Sequence, residues 1–230
     1  MKATLSGALV VLLSSYPCSA GTFVVDLAGG GDFTDIQAAL VGADRETLRA
    51  AAAVAVAEDW PDRAIAALGD SGDRRWYAWR FPSPHIELVR ENAAANGLDP
   101  AWVMGLMRSE SALAEDAISH AGARGLMQIM PATFDEISKK NPQFSKLESP
   151  KWNIAAGIYY NRTLYRKFTK TAEQDKLYMT FASYNAGYGR ILNASKRTPS
   201  EEKVWDEIKD HLPRETQGYV KRIRRLMGEI

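Results

Sequence analysis

Glu110 interrupts an apolar stripe. Val103, Leu106 and Met107 occupy the i, i+3 and i+4 positions of one helical face, and the next position on it, i+7, is Glu110. A carboxyl in line with a core face loses water, which disfavours its charged form and raises its pKa. A carboxylic acid that keeps its proton near neutral pH is what general-acid cleavage of a glycosidic bond requires. The plainer alternative is a structural carboxylate that pairs with Arg108, Arg124 or Arg190, or that faces water at the helix end.

Two further segments carry polar groups suited to a ligand. Ser119 to Pro131 is a loop with glycines at 122 and 125 and small residues around them, where backbone could approach a bound molecule. Within it, Gln128 offers both a donor and an acceptor to an amide or hydroxyl, while Met127 and Met130 suit either a ligand wall or simple core filling. Ala182 to Arg190 ends a helix in a small, polar-aromatic turn, with the Tyr184 hydroxyl and Asn185 amide available to a sugar or to the acid.

The elements that must position these groups are helical. Asp99-Pro100 caps and opens the helix bearing Glu110, and Ser83-Pro84 opens the one before it, which Gly97 ends. Helical periodicity recurs near 132–138, 153–168, 174–183, 201–210 and 215–227, with Ile154, Ile158, Asn161, Leu164, Tyr165 and Phe168 tracing one face of the second stretch. No alternating strand pattern follows residue 80. Ahead of it, Phe23-Val24-Val25 suggests a short strand or linker, and Gly29–Gly31 a joint. Thr34 and Gln37 form a capping-box pattern, Asp44–Ala57 and Asp62–Leu68 read as helices, and Gly69–Asp73 reads as a loop. Trp76 to Pro82 is an aromatic hinge. The expectation is an all-α, lysozyme-like chain: a catalytic helical domain over 80–230 behind a small helical region over 21–79.

Residues 1–20 have the layout of an export signal. Lys2 precedes the apolar run Ala8–Leu13, and small residues surround a cut after Ala20. Cys18, the single cysteine of 230 residues, would leave with the signal or, as the less favoured alternative, become the acylated residue of an outer-membrane lipoprotein. The composition, 46% hydrophobic and 25% charged, fits a globular chain rather than a disordered one. A net charge of +1 supplies no field to hold nucleic acid, and the scattered His85, His120 and His211 have no metal-site spacing. No cofactor and no metal are expected.

Four ordered motifs together resemble the lytic transglycosylases with the soluble (SLT-type) catalytic domain, which have a goose-type-lysozyme-like fold. They are Glu110-Ser111, the run Gly125-Leu126-Met127-Gln128-Ile129-Met130-Pro131, Tyr184-Asn185-Ala186-Gly187, and Glu215-Thr216-Gln217-Gly218-Tyr219-Val220. The resemblance spans about residues 80–228. It implies cleavage of peptidoglycan between N-acetylmuramic acid and N-acetylglucosamine, with Glu110 as the single acid/base and a 1,6-anhydromuramoyl product. It also implies that Ser119, Gln128, Met130, Tyr184 and Asn185 bind substrate, with Glu215 near the peptide-binding end of the cleft or serving as a surface helix cap. Large soluble members carry a long ring of α-helical repeats in front, for which the sixty or so residues here are too few.

The expected location is the periplasm, and the expected partners are peptidoglycan strands, with a cell-envelope machine as a further candidate and a monomer as the expected state. Two rivals remain at this level: a lysozyme-like hydrolase that uses water, and a non-catalytic wall-binding or assembly module of a secretion or phage apparatus. Glu115 and Asp116 stand close enough in sequence to Glu110 to need excluding as a second carboxylate. At the end of the chain, Lys221, Arg222, Arg224 and Arg225 read as a solvated helix face.

Overall fold

The computed structural model describes residues 9–11, 23–25, 42–72 and 75–228. It divides into two compact units, Met1–Pro84 and His85–Ile230. The capping-box pattern at Thr34 and the glycine joint lie outside the described residues. So does most of the export-signal pattern, although the apolar run at its centre contributes a strand.

In the first unit, β1 (Leu9–Val11) pairs antiparallel with β2 (Phe23–Val25), Val10 opposite Val24. Helix α1 (Arg45–Ala57) starts where Asp44 accepts the Thr47 amide at 2.8 Å. Helix α2 runs Pro61–Ser71, three residues beyond the expected stop at Leu68, because the left-handed residue that ends it is Gly72 rather than Gly69. Arg45, at the start of α1, donates to the Ser71 carbonyl at the end of α2, so the two helices run antiparallel. Their seam is Ala51, Ala52, Ala67 and Leu68, with Trp79 packed against it. Alanine seams let helix backbones come close without empty space. The aromatic hinge forms a single turn, α3 (Tyr77–Arg80), with Trp76 and Trp79 stacked at 4.6 Å.

The second unit is built from helices, with that of Glu173–Ala186 at their centre. Helix α4 (Ile86–Asn96) begins two residues after Pro84, since His85 adopts a left-handed conformation and breaks the turn before it. Asp99 then caps α5 (Pro100–Ser111) by accepting the Ala101 amide at 2.8 Å. Trp102, Val103, Leu106 and Met107 are buried, as the periodicity predicts. The Trp102 ring meets Phe181 edge-on at 5.3 Å. The next helices are α6 (Pro131–Lys140), α7 (Pro150–Tyr165) and α8 (Glu173–Ala186). On α7, Ile154, Ile158, Asn161 and Leu164 are buried, and Phe168 packs inward from just past its end.

Helix α9 (Tyr188–Ser195) was not expected. Its glycines at 187 and 189 read as loop, whereas Gly187 (φ +85°) serves as the joint between α8 and α9 and Gly189 sits inside the first turn. The expected helix over 201–210 is shorter in the structure. It comprises α10 (Trp205–Ile208) and the 3-10 turn Lys209–His211, because the Lys203 ammonium binds the Thr198 and Ser200 carbonyls and the Ser200 hydroxyl donates to the Glu207 carboxylate, which holds the preceding segment in a local knot. Helix α11 (Arg214–Leu226) closes the unit against α5. Gly105 permits this contact: a Cβ there would stand 3.4 Å from the Ile223 side chain and 3.5 Å from its carbonyl. No described helix is long and apolar enough to cross a membrane.

Candidate active site

Close approach of α5 and α11 at Gly105 has a chemical result one turn away. Tyr219, a turn before Ile223, donates its hydroxyl hydrogen to Glu110 Oε1. Burial pushes the Glu110 carboxyl up from 4.5 to about 7, against the opposing pull of the Tyr219 hydrogen bond and the Arg222 charge. Burial and the neighbouring carboxyl together hold both the Tyr219 and Tyr184 phenols well above their ordinary range. They are therefore hydrogen-bond donors at any working pH. Among the arginines considered as partners for Glu110, Arg124 is instead paired with Glu148 at 2.6 Å. Glu115 takes His85 Nε2 at 2.6 Å and is exposed, as is Asp116.

The helix carrying the acid ends abruptly behind it. Ala112 (φ +53°) and Leu113 (φ +74°) are both left-handed, which non-glycine residues seldom adopt and which costs on the order of 1 kcal/mol each or more. Ser111 holds the turn. Its hydroxyl lies 3.0 Å from the Leu126 carbonyl and 3.2 Å from that of Met107, and accepts the Leu113 amide at 3.1 Å. The residue after the acid thus joins α5 to the second motif.

That second motif is fastened from below by Asn153, a residue that sequence reasoning did not single out. Asn153 is 1% exposed. Its amide donates to the carbonyls of Arg124 (2.9 Å) and Leu147 (3.1 Å), and its oxygen accepts the Met127 amide at 2.8 Å. Gly125 (φ +73°) has to be glycine here, since a Cβ would come within 2.6 Å of Asn153 Nδ2. The only early sign of this clamp is a polar residue beside the apolar stripe of α7. Arg124 also makes single antiparallel bridges with Ile118 and Ile129, drawing the loop into a compact fold.

The expected binding residues distribute themselves unequally. Tyr184 donates to the Met127 carbonyl at 2.7 Å, and its ring tilts against Tyr160 at 5.5 Å. It therefore links the third motif to the second, close to the Glu110 charge. Gln128 adopts φ +46° and donates to the carbonyls of Ala117 and Gly125, so its amide hydrogens are engaged within the loop and its oxygen remains for other contacts. Ser119 Oγ accepts the Ala123 amide at 3.0 Å. Met130 is 40% exposed at the head of α6, and Ile118, which the sequence did not single out, is 69% exposed. Asn185 accepts the Thr216 hydroxyl at 3.0 Å, which joins the third motif to α11, and Glu215 is exposed in the first turn of that helix. All four motifs are thus connected by hydrogen bonds, with Tyr219 completing them.

Residues 87–205 match the model of the transglycosylase SLT domain, more than half of the chain. The chain belongs to the transglycosylase SLT domain family. Among relatives of this SLT chain is a membrane-bound lytic murein transglycosylase C of Actinobacillus pleuropneumoniae serotype 5b (strain L20). It is 34% identical over 116 residues, which cover 47% of this chain and 32% of the relative. The protein of that name in Haemophilus influenzae (strain PittGG) is 30% identical over 155 residues, covering 64% of this chain and 41% of the relative. The SLT chain therefore spans well under half the length of these relatives.

Among solved structures, an inactive mutant of the lytic transglycosylase Slt from Pseudomonas aeruginosa superposes with a TM-score of 0.69 at 30% identity, covering 80% of this chain and 30% of its own. The 70 kDa soluble lytic transglycosylase SLT70 from Escherichia coli gives 0.71 at 25% identity, covering 84% and 31%. The mostly helical, lysozyme-like architecture of the SLT fold is shared with both.

Proposed function

We propose that this chain is a peptidoglycan lytic transglycosylase, and that Glu110 is its catalytic acid and base. The observation that carries this reading is the half-buried Glu110 carboxyl, hydrogen-bonded to Tyr219 and pushed by desolvation to about 7. The names of its SLT relatives, lytic murein transglycosylases, support the same chemistry.

In the proposed reaction, protonated Glu110 gives its hydrogen to the oxygen between N-acetylmuramic acid and N-acetylglucosamine as the bond to the anomeric carbon breaks. The resulting carboxylate then takes the proton of the muramic C6 hydroxyl, whose oxygen bonds to that same carbon. The products are a free 4-hydroxyl on N-acetylglucosamine and a 1,6-anhydromuramoyl end, and no water is consumed. A pKa near 7 suits both halves, because the group must be a competent acid first and a competent base second. One carboxyl suffices where the internal hydroxyl replaces water, unlike the paired carboxyls of ordinary glycosidases. In agreement, the groups acting on Glu110 are Tyr219 and Arg222, with no carboxylate among them.

Tyr184, Ser119, Met130, the Gln128 oxygen and Asn185 are proposed to line the glycan cleft, and Glu215 its peptide end, within a catalytic domain of residues 80–230. The proposed setting is the periplasm after cleavage behind Ala20, consistent with the cell-envelope relatives, with the chain working as a monomer on glycan strands. Digestion of purified sacculi followed by mass spectrometry tests the reaction. Muropeptides one water lighter than reducing-end products are expected. Reducing ends alone would establish a hydrolase, and unchanged digestion by Glu110→Gln would remove the assigned acid.

A further inference from the structure

A depression of about 550 Å³ lies where α8 passes into α9, lined by Gly187, Gly189, Arg190, Asn193, Arg197 and His211. Its chemistry is one-sided. Arg190, Asn193 and Arg197 follow i, i+3, i+7 spacing and so share one face of α9 and its extension, while His211 enters from the 3-10 turn. No carboxylate lines it. Among the described residues neither the Arg190 nor the Arg197 side chain makes a hydrogen bond or an ion pair, in contrast to Arg124, which has found Glu148. Two guanidinium groups facing one concavity repel each other, and an oxyanion between them would replace that repulsion with charge-assisted hydrogen bonds. The Asn193 amide adds a neutral donor. The first turn of α9 lies at the same wall, its end of the helix favouring negative charge.

We propose that this depression is a binding site for an oxyanion-bearing ligand, carboxylate or phosphate, gripped by Arg190 and Arg197. The volume exceeds that of one small ion and falls within the range of roughly 300–1,000 Å³ typical of ligand sites. Its wall begins at Gly187, three residues after Tyr184, a stretch of chain that reaches at most about 11 Å. The depression thus begins one short stretch of chain from Tyr184 of the third motif. On the lytic transglycosylase reading, on which this part of the inference rests, the carboxylates of peptides carried by the glycan strand are one source. Free inorganic phosphate is the other.

The full chain is titrated calorimetrically with citrate and with inorganic phosphate, against chloride at matched ionic strength. Binding is expected for at least one of the two, weakened roughly ten-fold or more by Arg190→Gln and by Arg197→Gln. Asn193→Asp, which places a carboxylate in the depression at nearly constant size, is expected to weaken it likewise and covers the case of an arginine variant that misfolds. Turnover of peptide-bearing strands against strands stripped of peptide by an amidase then separates the sources. A preference for the former that the double arginine variant loses identifies strand-borne carboxylates, and an unaltered preference with lost anion binding identifies a free anion. Absence of binding by either anion, or equal binding in the double variant, overturns the site. The titration needs no turnover, so a failure to form anhydro ends would refute the proposed reaction and leave this result standing.

Discussion

Replacing Glu110 by Gln should do more than abolish turnover: it should stabilise the protein, and only above a certain pH. In the unfolded chain this carboxyl ionises near its ordinary 4.5, while in the folded unit it keeps its proton until about 7. Between those values the folded state binds more protons than the unfolded one, so stability falls as pH rises. Below about 4.5 both states are protonated and the group contributes nothing. Above about 7 the loss is complete. Each pKa unit is worth about 1.4 kcal/mol, which makes the full difference about 3 kcal/mol. Glutamine keeps the shape and can still accept the Tyr219 hydrogen, but it never ionises. Urea melts of both proteins at pH 4, 6 and 8 are the assay. The variant's advantage should be near zero at pH 4, partial at pH 6 and about 3 kcal/mol at pH 8, or roughly 6–12 °C in Tm. An advantage of the same size at pH 4 and pH 8, or a variant less stable at pH 8, would refute the idea that burial holds the proton on Glu110.

Tyr219→Phe removes an interaction that stabilises the carboxylate, so the Glu110 pKa should climb above 7 by about one unit, and the alkaline limb of the pH–rate profile should move up with it; a downward or absent shift would contradict this. Arg222→Gln should move the same limb in the same direction by less, since its influence is the smaller of the two. Asn153→Ala strands the Met127 amide and the Arg124 and Leu147 carbonyls in a buried place, and urea denaturation should show a loss of about 2–4 kcal/mol. Gly157→Ala would set a Cβ 2.7 Å from Met127 Cβ, which cannot swing away, and should lower stability by roughly 1–3 kcal/mol in the same measurement.

Which parts of this site could be read in advance follows from how each residue departs from its surroundings. Glu110 was legible because a carboxyl on an apolar stripe breaks a periodic pattern, and the pattern needs only neighbours in sequence. Tyr219 stands within the fourth motif, but nothing local shows that its hydroxyl meets a residue 109 positions earlier. Asn153 was hidden for the same reason. It stands beside Ile154 on α7, and its three partners come from segments that the chain brings together only on folding. Gln128 was read as a ligand group from its donors and acceptors. The loop claims the donors first, because the Ala117 and Gly125 carbonyls in its own turn have need of them. Helix α9 escapes a reading of the sequence because Gly187, which joins it to α8, and Gly189, inside its first turn, signal a loop equally well.

The pairing of Glu110 with Tyr219 also orders events in the life of the chain. The acid is made well before its hydrogen-bond partner, which follows 109 residues later on α11. Until α11 has emerged and lodged against Gly105, Glu110 lacks both the tyrosine and the cover that sets its acidity. A chain whose α11 has not docked therefore holds every residue of the first three motifs and still lacks the Tyr219 hydrogen bond and the Arg222 charge at Glu110. The fold makes the docking of α11 a condition for the acid to work.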